Sequence, residues 1–185
     1  MNARVEHSSF DPKKAVGFDL ANGQVCLSDN ERAVIVPAGA LSAVLAAAGE
    51  TAARELGRAM GRTLGGRLGS VRDQPVENVV SLFARELAIV GLGTLSLERW
   101  GRALVITVSD AGVENDAFIA ALIEGMLASA SGRDLRTHPL GREGSTVRVL
   151  VANVAAIERV VTWMADGTSF GDAIVRLHAP RAEAS

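Results

Sequence analysis

Residues 49–69 constrain this chain more than any other stretch; they read GETAARELGRAMGRTLGGRLG, with Gly49, Ala53, Gly57, Gly61, Gly65 and Gly69 at successive steps of four. Glycine inside a helix is less favourable than alanine by about 1 kcal/mol, so a row of it needs a local reason. That reason is close approach: another helix, a second copy of the chain or a ligand packs here nearer than ordinary side chains permit. An i+4 row drifts around a helix by about 40° per step, so only three or four of the six positions can share one contact. Tight helix packing with no chemistry attached is the plain reading; a ligand-facing floor is the functional one. A membrane-spanning reading fails, because small-xxx-small rows drive association only within about 20 apolar residues. Arg54, Arg58, Arg62 and Arg67 interrupt this stretch at nearly every turn.

Composition narrows the class. The chain has 185 residues, 48% of them apolar, which fits one globular domain with a real core. Aromatics are only 4% and tyrosine is absent, so that core is built from Leu, Val, Ile and Ala. A net charge of −2 gives no global pull toward nucleic acid or anionic lipid. The arginines of the 54–72 stretch read as a solvated face, offset in part by Glu50 and Glu55. A lone Cys26 rules out an intrachain disulfide and a cysteine-clustered metal site. The N-terminal MNARVEHSSF lacks the apolar core of a signal peptide, so the expectation is a non-exported, cytoplasmic chain with no membrane span.

Along the chain, residues 1–14 are polar. Short extended pieces at 15–20, 24–28 and 32–37 follow, with Asn22-Gly23 as a hairpin turn and Asp29-Asn30 as a second. They form a small β-meander, giving an N-terminal segment 1–37. Pro37 opens a helix with Leu41, Leu45, Ala48, Ala52, Leu56, Met60 and Leu64 as an apolar stripe beside the glycine row, ended or bent at Gly65-Gly66 or Gly69. A second helix runs from Pro75 to about Val90, its inner face drawn from Val79, Leu82, Phe83, Leu87 and Val90. Strands at 94–99 and 103–110 turn at Trp100-Gly101-Arg102; the second reads as central or buried on both sides. A helix over about 115–131 carries Phe118, Leu122 and Met126 on one side. Strands at 134–140 and 145–152, joined by a Gly141–Gly144 turn, a helix at 154–164 and a final 170–177 segment complete the order. Short hairpins demand antiparallel pairing. The fold class is therefore α+β, an antiparallel four-stranded sheet with helices on one side, with a core at 38–152 and a helical extension at 153–185 of the same domain.

This succession resembles the 4-vinyl-reductase-type hydrocarbon-binding domain, whose fold is shared with TRAPP-type vesicle-tethering subunits. The resemblance is carried by ELGRAMGRTLG in the first helix, the GLGTLSLERWGRALVITV hairpin, the helix FIAALIEGMLASASG and the terminal hairpin THPLGREGSTVRV, and it covers roughly 40–152. In many members the terminal hairpin has a cysteine, a glycine four residues on, a second cysteine four beyond and then a phenylalanine, with an acidic residue three before the first cysteine. Here those positions are Thr137, Gly141, Ser145, Val147 and Asp134. Members with the cysteines use these positions to help hold zinc. Threonine and serine supply no thiolate, so the resemblance implies no metal here, and His138 beside the lost position reads as a surface or hydrogen-bonded histidine.

What the resemblance does imply is a pocket. Ligand-binding members enclose apolar or aromatic molecules between helices and sheet, and the matching residues are Gly57, Gly61, Phe83, Leu87, Trp100, Phe118, Leu122 and Met126. Each has a plain reading as ordinary core. Gly57, Gly61 and Gly65 are the candidate contact of a homodimer, since the relatives pair through their helical side. Catalysis has no carrier: His7, His138 and His178 are scattered, and no nucleophile elbow, phosphate loop or His/carboxylate metal motif occurs. GLGTLS precedes a strand, whereas a dinucleotide fingerprint follows one. No cofactor is expected, and the absence of tyrosine argues against a tyrosine-containing porphyrin-binding motif. The expected function is a non-enzymatic homodimeric sensor of an apolar or aromatic small molecule. The alternatives are a protein-interaction scaffold with a collapsed pocket and a vinyl reductase linked to pigment synthesis. With no DNA-binding or ATPase segment in the sequence, output is expected to pass through a partner protein.

Overall fold

The three N-terminal strands are β1 (Val16–Asp19), β2 (Gln24–Leu27) and β3 (Arg32–Ala33), all antiparallel in the order β1-β2-β3. The first turn works as its residues suggest: Asp19 Oδ1 accepts from the Asn22 backbone N–H at 3.1 Å, and Gly23 takes a φ of 62°. These strands belong to a compact unit ending at Val36; a second unit holds everything from Pro37 onward. The structure, a computed structural model, describes residues 14–27, 31–69, 71, 73–101, 103–132 and 135–178. His7, the Asp29-Asn30 turn, Arg102 and Asp134 lie outside the described residues, as does the side chain of His178.

The second unit opens with α1 (Ala38–Arg67), capped at Pro37. Its fourth turn is broken at Gly49, whose φ of 81° and ψ of 170° lie where a side chain is strained. Next comes α2 (Val76–Ile89), starting after Pro75, then the hairpin β4 (Thr94–Trp100) and β5 (Ala103–Ser109). α3 (Asp116–Ser131) is framed by an Asn115 side chain accepting from the Phe118 N–H and by Gly132 in the left-handed region. The hairpin β6 (Arg136–Glu143) and β7 (Thr146–Ala152) leads to α4 (Val154–Ala165) and α5 (Phe170–His178). The four long strands make one antiparallel sheet in the order β4-β5-β7-β6, so β5 and β7 are central and β4 and β6 are edges. In β6 the register shifts between Pro139 and Gly141. The α+β class and the antiparallel sheet stand as expected.

The placement of helices does not. On β5 and β7 the alternating residues Ile106, Val108, Val147, Val149 and Val151 join a core with α1, α2 and α3. The opposite parity, Ala103, Val105 and Leu150, joins Val160 of α4 and Ala173 and Ile174 of α5 in a second core. Helices thus cover both faces, and the sheet is the middle layer of three. The physical reason is the strand pattern itself: strands apolar on both faces must be covered on both.

Candidate functional site

The glycine row meets α3 of the same chain. Ala53, Gly57, Gly61 and Gly65 are buried, four of the six row positions, while Gly49 breaks the helix and Gly69 lies beyond its end. A Cβ on Gly57 would stand 2.5 Å from the Phe118 carbonyl oxygen, and one on Gly65 2.5 Å from that of Met126. On Gly61 it would overlap the Leu122 carbonyl oxygen. Gly125 does the same from the other side, where a Cβ would meet the Arg58 carbonyl oxygen. Two helices therefore lie backbone against backbone, which only glycine permits. The surface nominated for a homodimer at Gly57, Gly61 and Gly65 is already occupied within the chain.

Seven of the eight nominated pocket residues come together. Phe83, Leu87, Phe118, Leu122 and Met126 are fully buried in the core that the two glycines border. Trp100 is the exception. It stands on the other face of the sheet in the second core, 5.3 Å from the Phe170 ring, and its indole N–H donates to Glu98 Oε2 at 2.8 Å. Strand parity separates it: Leu95 and Leu97 face α1 to α3, and Trp100 lies at the opposite parity. None of the three clefts described at the surface is lined by any of the eight.

A different constellation has both chemistry and space. Glu124 sits in α3 within the run 118–127, every residue of which is buried. Its Oε1 accepts from Arg58 Nε of α1 at 2.7 Å and lies 3.2 Å from Arg136 Nη1 of β6. Its Oε2 accepts from the Thr137 N–H at 3.1 Å. The Thr137 hydroxyl lies 2.7 Å from the Ala120 carbonyl oxygen and 3.3 Å from Glu124 Oε2, one proton serving two acceptors. Burial pushes the Glu124 carboxyl upward, but the Arg58 hydrogen bond, the Thr137 N–H and the charges of Arg58 and Arg136 outweigh it and hold it below the usual carboxylate value. This carboxylate thus ties α1, α3 and β6 together.

Beside it opens a cleft of about 340 Å³ lined by Arg54 and Arg58 of α1, Glu124, the Arg136–His138 segment of β6, and Val154, Ile157, Glu158 and Val161 of α4. The α4 residues recur at three and four, so they form one wall. Arg54 donates through Nε to Glu50 Oε1 at 2.9 Å. His138 is half-buried at the surface of this cleft and makes no side-chain hydrogen bond among the described residues. Its pKa is lowered, first by burial and then by the Arg54 charge, with Glu50 opposing. The shift favours the neutral imidazole, which carries one donor and one acceptor. Two signals could have exposed this site in the sequence: the single carboxylate inside the apolar run FIAALIEGML, and the Val154/Ile157/Val161 stripe.

The positions matched to family zinc ligands are apart. Thr137 pairs with Val151 deep in the hairpin, whereas Ser145 occupies its tip. At about 3.3 Å per residue, roughly 20 Å separates them. Among the described residues, no three His, Cys, Asp or Glu side chains gather as a metal-ligand set.

No family model and no curated protein matches the chain. Among solved structures, the phenol-responsive sensory domain of the transcription activator PoxR, crystallised with phenol, aligns at a TM-score of 0.52 and 16% identity, covering 91% of this chain and 94% of that one. A vinyl-4-reductase family protein from Methanocaldococcus jannaschii aligns at a TM-score of 0.40 and 14% identity, over 55% of this chain and 68% of that one. The likeness to the PoxR domain, over most of both chains, is one of fold. The fold implied by the sequence resemblance is the fold observed, and no described helix is long and apolar enough to cross a membrane.

Proposed function

We propose that this chain is a non-catalytic sensing module that takes a small molecule with apolar surface into the cleft between α1, α3, β6 and α4. It acts as a homodimer and passes its signal to a partner protein. The observation that carries the reading is the cleft: a concave space of about 340 Å³ with an aliphatic wall facing a few fixed polar groups. Ligand sites have this make-up, at about 300–1,000 Å³. The likeness to a phenol-responsive domain supports it. The interior first nominated is occupied by Phe83, Leu87, Phe118, Leu122 and Met126, so the reading moves the ligand outward past Glu124. The same filled interior favours a second reading, a protein-interaction scaffold, and the dimer must use surface other than the glycine row.

Native mass spectrometry of the purified chain tests the first reading. It expects a discrete small-molecule mass that Ile157→Trp, which fills the cleft, removes without lowering the melting temperature. A chain that carries no such mass and responds to no member of a broad aromatic and aliphatic library, yet captures a protein, sinks the sensor and leaves the scaffold. Sedimentation at micromolar concentration expects a dimer; a compact monomer removes that part of the proposal.

A further inference from the structure

We infer that the molecule this cleft takes is an organic carboxylate with a short apolar body, its carboxylate held by the outer edges of Arg54 and Arg58. The inference rests on the sensory reading above and names its ligand class. Arg54 and Arg58 are one turn apart on α1 and both line the cleft. Each is anchored through Nε, Arg54 to Glu50 at 2.9 Å and Arg58 to Glu124 at 2.7 Å. Neither has any further hydrogen bond or ion pair among the described residues. A guanidinium fixed by Nε keeps its plane in place and leaves both Nη groups open, the arrangement that grips a carboxylate by two parallel hydrogen bonds. His138, facing the same space, offers one more N–H.

The opposite wall fits the other end of such a molecule. Val154, Ile157 and Val161 are aliphatic, and Val154 and Val161 remain 38% exposed with nothing yet covering them. A neutral hydrocarbon in this space would cover the aliphatic wall but strip water from the Nη groups and give them no acceptor, which is the costly outcome for buried donors. A carboxylate satisfies them. Charge sets the limits: Glu50 and Glu124 already engage the two Nε groups, Arg136 adds a third cation, and the Glu158 carboxylate on the α4 side, which pairs with no cation among the described residues, opposes an anion.

The test is titration of the full chain with benzoate, phenol and toluene, three probes that share a ring and differ in the head group. Binding is read by calorimetry and by the His138 ring signals, assigned with His138→Gln. Benzoate is expected to bind at least about tenfold more tightly than the other two. Arg54→Gln, which leaves the Glu124 cluster intact, weakens benzoate by about fivefold or more, and Glu158→Gln tightens it by about twofold. Phenol or toluene binding as tightly as benzoate, with Arg54→Gln indifferent, overturns the carboxylate inference while the sensory reading stands. Failure of all three probes overturns the carboxylate inference, and the sensory reading falls with it if the protein also carries no co-purified molecule and responds to no member of the broader library.

Discussion

Two neighbouring stripes of α1 solve opposite problems. Ala53, Gly57, Gly61 and Gly65 form a strip with no side chains to speak of, dry and sealed against the α3 backbone. Glu50, Arg54 and Arg58, one residue around the helix, form a strip of long charged chains that reach out to Glu124 and the cleft. On the first strip, shape decides everything: no group there can move to admit another atom. On the second, charge decides, and the long side chains can adjust. Fixed helix spacing on one side makes defined guanidinium positions possible on the other, because Arg58 and Glu124 are carried by the two helices that the glycines lock together.

The contrast can be broken first on the small strip. Gly61→Leu forces a side chain into the Leu122 backbone, and the cost is overpacking of about 1–3 kcal/mol or more, beyond the roughly 1 kcal/mol that leaving glycine returns in helix propensity. Denaturant unfolding is expected to show it as a lowered midpoint; an unchanged midpoint would mean the helices do not meet there. Glu124→Gln keeps the shape and removes the charge, leaving Arg58 and Arg136 without their carboxylate. Both arginines are partly exposed, so the loss is about 1–3 kcal/mol, less than for a fully buried pair.

Acid acts on the groups that face the charged strip. Glu124 has a lowered pKa when folded, so its contribution is fully present above the ordinary 4.5 and is lost as pH falls through the lower folded value. His138, also lowered, is favoured neutral in the fold, so its contribution is present above 6.5 and fades as pH falls. Both signs agree: stability declines on acidification, and Glu124→Gln flattens the lower part of the profile. A wild-type profile level from pH 7 to pH 3 would contradict both. The smallest effect belongs to Arg54→Gln, whose exposed pairing with Glu50 is worth about 0.3–0.5 kcal/mol, so its melting curve should nearly overlay the wild type.

Most of the fold was legible because its signals are local. Pro37, Pro75, Asn115 and Gly132 mark helix ends by backbone chemistry that needs no tertiary context. The second helix layer was not, although Val105 and Leu150 carried its signature: residues apolar at both parities of a strand need two covers. Trp100 was misjudged for the same reason, since a side's identity depends on which helices end up there. The glycine row announced a close contact but not its partner, because steric allowance is identical for α3, a second chain or a ligand. The cleft was the least legible part. It is assembled from α1, α3, β6 and α4, and its two signals, the lone carboxylate in α3 and the aliphatic stripe of α4, lie far apart in the sequence.

One detail of β6 governs how the molecule behaves toward its own kind. Strands at the rim of a sheet offer unpaired amide and carbonyl groups, a ready template for a stranger's strand. β6 is such a rim, and it carries Pro139, which has no N–H to offer, next to a register shift before Gly141. A ribbon from another chain could not hydrogen-bond along it in unbroken register. An edge strand with a proline and a broken register is a poor template for edge-to-edge growth of a valine-rich sheet.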